Sequence, residues 1–78
     1  MALPESDAVR FASALDDYDD VCVSDVGGSD ELGFWVVVRD ERFDVSYQIA
    51  SHADYWDFVG AIVDHRQCLS LTPLAEVA

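Results

Sequence analysis

The chain has 78 residues, enough for one domain, and at this size only about 60% of the unfolded surface is buried, so the core is thin. Sixteen acidic residues face four basic ones, for a net charge of −12. That balance leaves no basic groove to follow a phosphate backbone and argues against direct nucleic-acid binding, while an apolar fraction of 51% excludes a disordered acidic tail.

All four basic residues are arginines, twelve of the acids are Asp and four are Glu, and Asn is absent. Lys and Asn sit on AT-rich codons, whereas Val, Ala, Asp and Gly sit on GC-rich ones. The composition resembles that of proteins from salt-loving archaea with GC-rich genomes, a likeness that names no family. Molar salt shrinks the Debye length to about 3 Å and silences repulsion among surface carboxylates. In dilute buffer the same charge pushes the compact state apart. Adaptation to brine is the first reading of the acidity; imitation of a nucleic-acid phosphate row is the alternative. The start "MALPESDAVR" has neither the basic beginning nor the apolar core of a signal peptide, and no apolar stretch is long enough to span a membrane. The expected location is cytosolic, where Cys22 and Cys68 are reduced thiols; a bridge between them stays open at this point.

In chain order, residues 4–18, "PESDAVRFASALDDY", predict a helix. Pro4 suits the first turn, Glu5 and Asp7 suit its positive end, and Ser6 is an alternative N-cap. Ala8, Phe11, Leu15 and Tyr18 recur on one face. Asp16, Asp17, Asp19 and Asp20 oppose the helix dipole and mark its stop. Residues 20–26, "DVCVSDV", predict a strand, and "GGSDELG" a loop. Residues 33–39 and 42–49 predict a hairpin. Phe43, Val45, Tyr47 and Ile49 alternate with polar residues, as a half-buried strand requires. With Asp40-Glu41 as the turn, Val38 faces Phe43, Val36 faces Val45 and Phe34 faces Tyr47; a four-residue turn is the other option. Residues 51–66 predict a second helix, with Ser51 as N-cap and Asp54 at the third position of a capping box. Tyr55, Trp56, Phe58, Val59, Ile62 and Val63 form its apolar face, opposite Asp57, Gly60, Ala61 and Asp64. Residues 67–72, "QCLSLT", are a candidate fourth strand, and residues 74–78 are expected to be loose.

The order α-β-β-β-α, with or without a final β, implies an α+β two-layer sandwich. Its antiparallel sheet has three or four strands, with both helices on one face. In the run Phe34-Trp35-Val36-Val37-Val38, alternate residues then point away from the helices. A strand apolar on both faces implies cover on both sides. Trp35 and Val37 are therefore the candidate interaction centre, rimmed by Arg39, Arg42 and Asp44 and by Ser46 and Gln48. A second copy is the first partner to consider, because most oligomers are homo-oligomers.

Other chemistry finds little footing. Counting a calcium loop from Asp17 puts Cys22 where Gly belongs and Gly28 where Glu belongs. His52 and His65 lie at opposite ends of the second predicted helix, roughly 20 Å apart at about 1.5 Å per residue, too far for one zinc ion. There is no P-loop, no G-x-S-x-G and no G-x-G-x-x-G. No cofactor, metal or catalytic residue is assigned. The expected function is a non-enzymatic protein-interaction module that self-associates through the Trp35/Val37 face. The alternatives are an acidic nucleic-acid mimic and a small-ligand binder using Trp35, Tyr47 or Trp56.

Overall fold

The computed structural model describes residues 2–74. The elements are α1 (Glu5–Asp16), β1 (Val21–Ser29), β2 (Gly33–Asp40), β3 (Val45–Ile49) and α2 (His52–Val63). The strands form one antiparallel sheet in the order β1-β2-β3. The fold is α+β, as the sequence order implies. Of the tail expected at 74–78, all but Leu74 lies outside the described residues. Among the described residues, no helix is long and apolar enough to cross a membrane.

Pro4 precedes α1 in an extended conformation, and its carbonyl accepts from the amides of Asp7 and Ala8 at 3.1 Å. Helix α1 buries Ala8 and Leu15 against β1 and β2, with Phe11 and Tyr18 packed alongside. Ser51 caps α2: its hydroxyl accepts from the Asp54 amide at 3.1 Å. The Asp54 carboxylate reaches back to the Ala50 amide, one residue beyond the position a capping box uses. Helices α1 and α2 meet side by side, with contacts that run in the same order along both. The first turn of α2 makes them: His52 meets Asp7 in the first turn of α1, and Tyr55 stacks on the Phe11 ring in the second at 3.9 Å. Beneath them Val36, Val38, Tyr47 and Ile49 are fully buried.

Four sequence expectations are corrected. Helix α2 is rotated from its expected face: Ala61 is buried against the core while Trp56 and Val63 are 62% and 61% exposed. Apolar periodicity marks a stripe too wide for one contact, and the smallest residue in contact sets how close the helix comes. Strand β1 runs on through Gly27 and Gly28, where the sequence predicts a loop. The loop shrinks to three residues, Asp30–Leu32, closed by Gly33 at φ 87, the left-handed residue that such a hairpin requires.

The second hairpin has its four-residue turn, 41–44, with Asp44 at φ 57. Val38 therefore faces Tyr47 and Val36 faces Ile49, a register four residues out from the tight-turn pairing. An even shift keeps the same residues inward, so the core was legible even with the register wrong. Phe43 is the exception, at 42% exposed in the turn. Finally, residues 67–72 form no strand. Leu69 is 81% exposed, and the segment is held by Cys68, buried in the core, and by Tyr47 Oη donating to the Cys68 carbonyl at 3.1 Å; beyond it the Leu74 amide donates to the Ser46 carbonyl at 2.8 Å.

Candidate interaction surface

Both helices cover one face of the sheet and leave the other bare. Cross-strand partners share a face, so the register defines what the bare face carries. Strand β1 contributes Cys22, Asp25 and Gly27; β2 contributes Trp35, Val37 and Arg39; β3 contributes Ser46 and Gln48. A bulge in β1 makes this arrangement possible. Between Val23 and Asp25 the pairing skips Ser24. Strict alternation from Val21 and Val23 would turn Asp25 toward the core and Val26 away from it. The extra residue reverses the phase, so Val26 pairs with Val36 on the helix side and Asp25 reaches solvent, where its carboxylate accepts from the Val26 amide at 2.9 Å.

Trp35 is half-buried because its indole lies across Gly27. A Cβ at position 27 would meet the ring at 3.0 Å, tighter than ordinary van der Waals contact. Glycine is thus the seat of the indole, an aromatic covering of backbone that would otherwise face water. Val37, also half-buried, sits between Asp25 and Gln48. Arg39 lies beyond Val37, opposite Cys22 on one side and Ser46 on the other, and its guanidinium pairs with Asp44. Both partners are exposed, so the pair orients the rim and contributes little stability.

Of the five residues expected at this site, Trp35, Val37, Arg39 and Asp44 come together and Arg42 does not. Arg42 faces the other layer, where Asp40 is fully buried. Asp40 accepts from the Arg42 amide and Nε at 3.0 Å and from Nη2 at 2.9 Å. The same Nη2 donates to the Arg66 carbonyl at 2.9 Å. The bonds to Asp40 hold the Arg42 guanidinium above its ordinary pKa, against the opposing effect of burial. A D-x-R sequence within a turn was the available signal, because a carboxylate at the end of a strand needs a nearby donor to be buried. This pair staples the β2–β3 turn to the chain leaving α2.

The remaining candidates are placed apart from this face. Cys22 is exposed on the bare side and Cys68 is buried on the helix side, and both are free thiols. His52 pairs with Asp7 at 2.8 Å, while His65 follows α2 at its far end. Among the described residues, no three potential metal ligands cluster. The Asp16–Asp20 run ends α1, and Tyr18 from its middle packs on the core.

The face has an apolar centre of Trp35, Val37 and Gly27, a rim of Ser46, Gln48 and Cys22, and three charged groups, Asp25, Arg39 and the Asp44 that Arg39 pairs with. It is close to electrically neutral in a molecule of charge −12. Comparison of the chain with protein-family models, curated proteins and solved structures finds no match.

Proposed function

We propose that this protein is a non-enzymatic interaction module that associates with its own copies through the bare face of the sheet. The observation that carries the reading is the near-neutral, apolar-centred patch around Trp35 and Val37 on an otherwise acidic molecule. Depletion of charge at the centre with a polar rim is the compositional mark of an interface. The same neutrality favours a second copy as partner, since two such faces meet without bringing carboxylates together. A basic partner would be met by a carboxylate-rich face, and this one has two aspartates, Asp25 and Asp44, the second already paired with Arg39.

Size sets the expected strength. Three strands and about eight residues give a face of about 14 Å by 26 Å, roughly 370 Å² per copy. A standard interface takes about 800 Å² per partner, so this contact is weak and concentration-dependent. The overall charge opposes association in dilute buffer, and screening relieves that opposition. The reading therefore joins naturally to a saline cytosol, the habitat that the composition resembles.

Sedimentation velocity over a wide concentration range, in about 1 M KCl where the screening length is near 3 Å, tests the proposal. The expected result is a concentration-dependent rise in sedimentation coefficient that Val37→Glu reduces. Val37→Glu is preferred to a Trp35 variant because it leaves the indole on Gly27 in place. A Val37→Glu protein that is folded and associates as the natural chain does would overturn the reading.

A further inference from the structure

We infer that α1 carries a second self-complementary contact, in which the α1 helices of two copies pack antiparallel across Ser13 and Ala14 with Arg10 of each opposite Asp17 of the other. This goes beyond the sheet-face reading and stands on different residues. Arg10, Ser13 and Asp17 are exposed and, at spacings of three and seven residues, fall along one stripe of the helix. Asp17 continues the helical path at φ −76 and ψ −14. The two charges are about 10.5 Å apart along the axis, at about 1.5 Å per residue. Their midpoint lies between Ser13 and Ala14, whose small side chains let two helices approach closely.

A two-fold axis through that midpoint sends position 10 to position 17 and position 13 to position 14. The pattern is therefore its own complement, and both ion pairs form at once. A foreign helix would need to reproduce that spacing, whereas a second copy has it already. The arginines support the assignment. Arg39, Arg42 and Arg66 each have a carboxylate within 4.0 Å. Among the described residues Arg10 has none, although sixteen acids are present in the chain.

The surroundings supply apolar surface to cover. Along the stripe runs a groove of about 510 Å³, walled on the other side by Tyr55 and Trp56. Trp56 is 62% exposed and Val9, on α1, is 53% exposed. The Trp56 ring stands edge-on to Tyr55 at 4.9 Å, which is itself stacked on Phe11, so the wall is braced from behind. Antiparallel packing also opposes the two helix dipoles. Asp16 and Asp57, exposed and next in the chain to Asp17 and Trp56, add negative charge to each copy, so this contact too is opposed in dilute buffer. With two distinct two-fold contacts on one chain, copies assemble into closed tetramers or open chains.

The test uses the Val37→Glu chain, in which the sheet face is disabled, in about 1 M KCl. Onto it are placed either Arg10→Asp, making the stripe wholly acidic, or Asp17→Arg, making it wholly basic. Sedimentation of the Val37→Glu parent is expected to show dimers. Each second substitution is expected to weaken association at least about tenfold through like-charge contact, and an equimolar mixture of the two is expected to restore it to within about threefold. Arg10 and Asp17 are exposed and Val37 is half-buried, and circular dichroism verifies that each variant is folded. A Val37→Glu parent that stays monomeric overturns the α1 contact and leaves the sheet-face reading intact if the natural chain associates. A mixture no more associated than its separate components overturns it as well. Suppression by Arg10→Asp in the Val37→Glu chain, with rescue in the mixture, supports it whatever the sheet face does.

Discussion

Asp40 shows how one residue joins the two ends of this small molecule. Its buried carboxylate takes three hydrogen bonds from Arg42, and Arg42 passes a fourth to the Arg66 carbonyl. Removing one partner of a buried pair leaves the other uncompensated and costs about 3–5 kcal/mol. Arg42→Ala is expected to lose stability at the lower end of that range, because the Arg42 side chain keeps 17% exposure. Urea unfolding monitored by circular dichroism checks it, and a midpoint unchanged from the natural chain would refute it. Tyr47 and Tyr55 make a second point at this scale. Burial pushes both phenols above their ordinary value of 10.0. A phenol whose folded pKa is raised stabilises the fold fully below the unfolded value and loses that contribution as pH climbs past it. The expected outcome is a melting temperature that declines above about pH 10. Tyr47→Phe removes one of the two ionisations and is expected to flatten that alkaline decline, while losing the bond to Cys68.

At the level of elements, what was legible in the sequence was period and polarity. The alternation from Phe43 to Ile49 gave the third strand, and Ser51 gave the start of α2. The features that escaped depend on contacts the sequence does not display. The β1 bulge is legible only as an irregularity: Val21, Val23 and Val26 cannot share a face without an inserted residue. Gly27 looked like loop punctuation, and only the indole of Trp35 lying over it explains a glycine within a strand. Leu3, fully buried and bonded through its carbonyl to the Phe34 amide at 3.0 Å, had no local signal at all. It continues the line of β3 beside β2, where β3 itself has ended. The open side of the sheet is legible in Trp35 and Val37 within an unbroken apolar run, whereas the place of Arg42 depends on the length of the β2–β3 turn, which the alternation alone does not set. Two substitutions test these elements. Ser51→Ala is expected to cost about 1 kcal/mol, the usual effect of losing a helix N-cap. Gly27→Ala is expected to displace the indole, seen as a change in tryptophan fluorescence that the same substitution in a Trp35→Phe background does not produce.

Across the whole molecule, charge and surface divide the work. Sixteen acids against four arginines repel one another in dilute solution. Three of the arginines are committed to pairs with Asp44, Asp40 and Asp64. Stability is therefore expected to rise with KCl from about 0.1 M toward about 3 M as the Debye length contracts from about 10 Å to less than 3 Å. A thermal melt that is independent of salt over that span would leave the acidity without a habitat explanation and would return attention to mimicry of nucleic acid. The bare sheet face stands outside this pattern: it is nearly neutral, so salt acts on it mainly by removing the repulsion between whole molecules.

The most direct test of that face is a dilution series followed by amide and indole nuclear magnetic resonance in about 1 M KCl. The account predicts concentration-dependent shifts at the Trp35 indole and at the amides of Val37, Arg39, Ser46 and Gln48, with the buried residues Val36 and Ile49 moving less. Resonances of these outward positions that hold still across the series, while the chain is shown to associate, would contradict it.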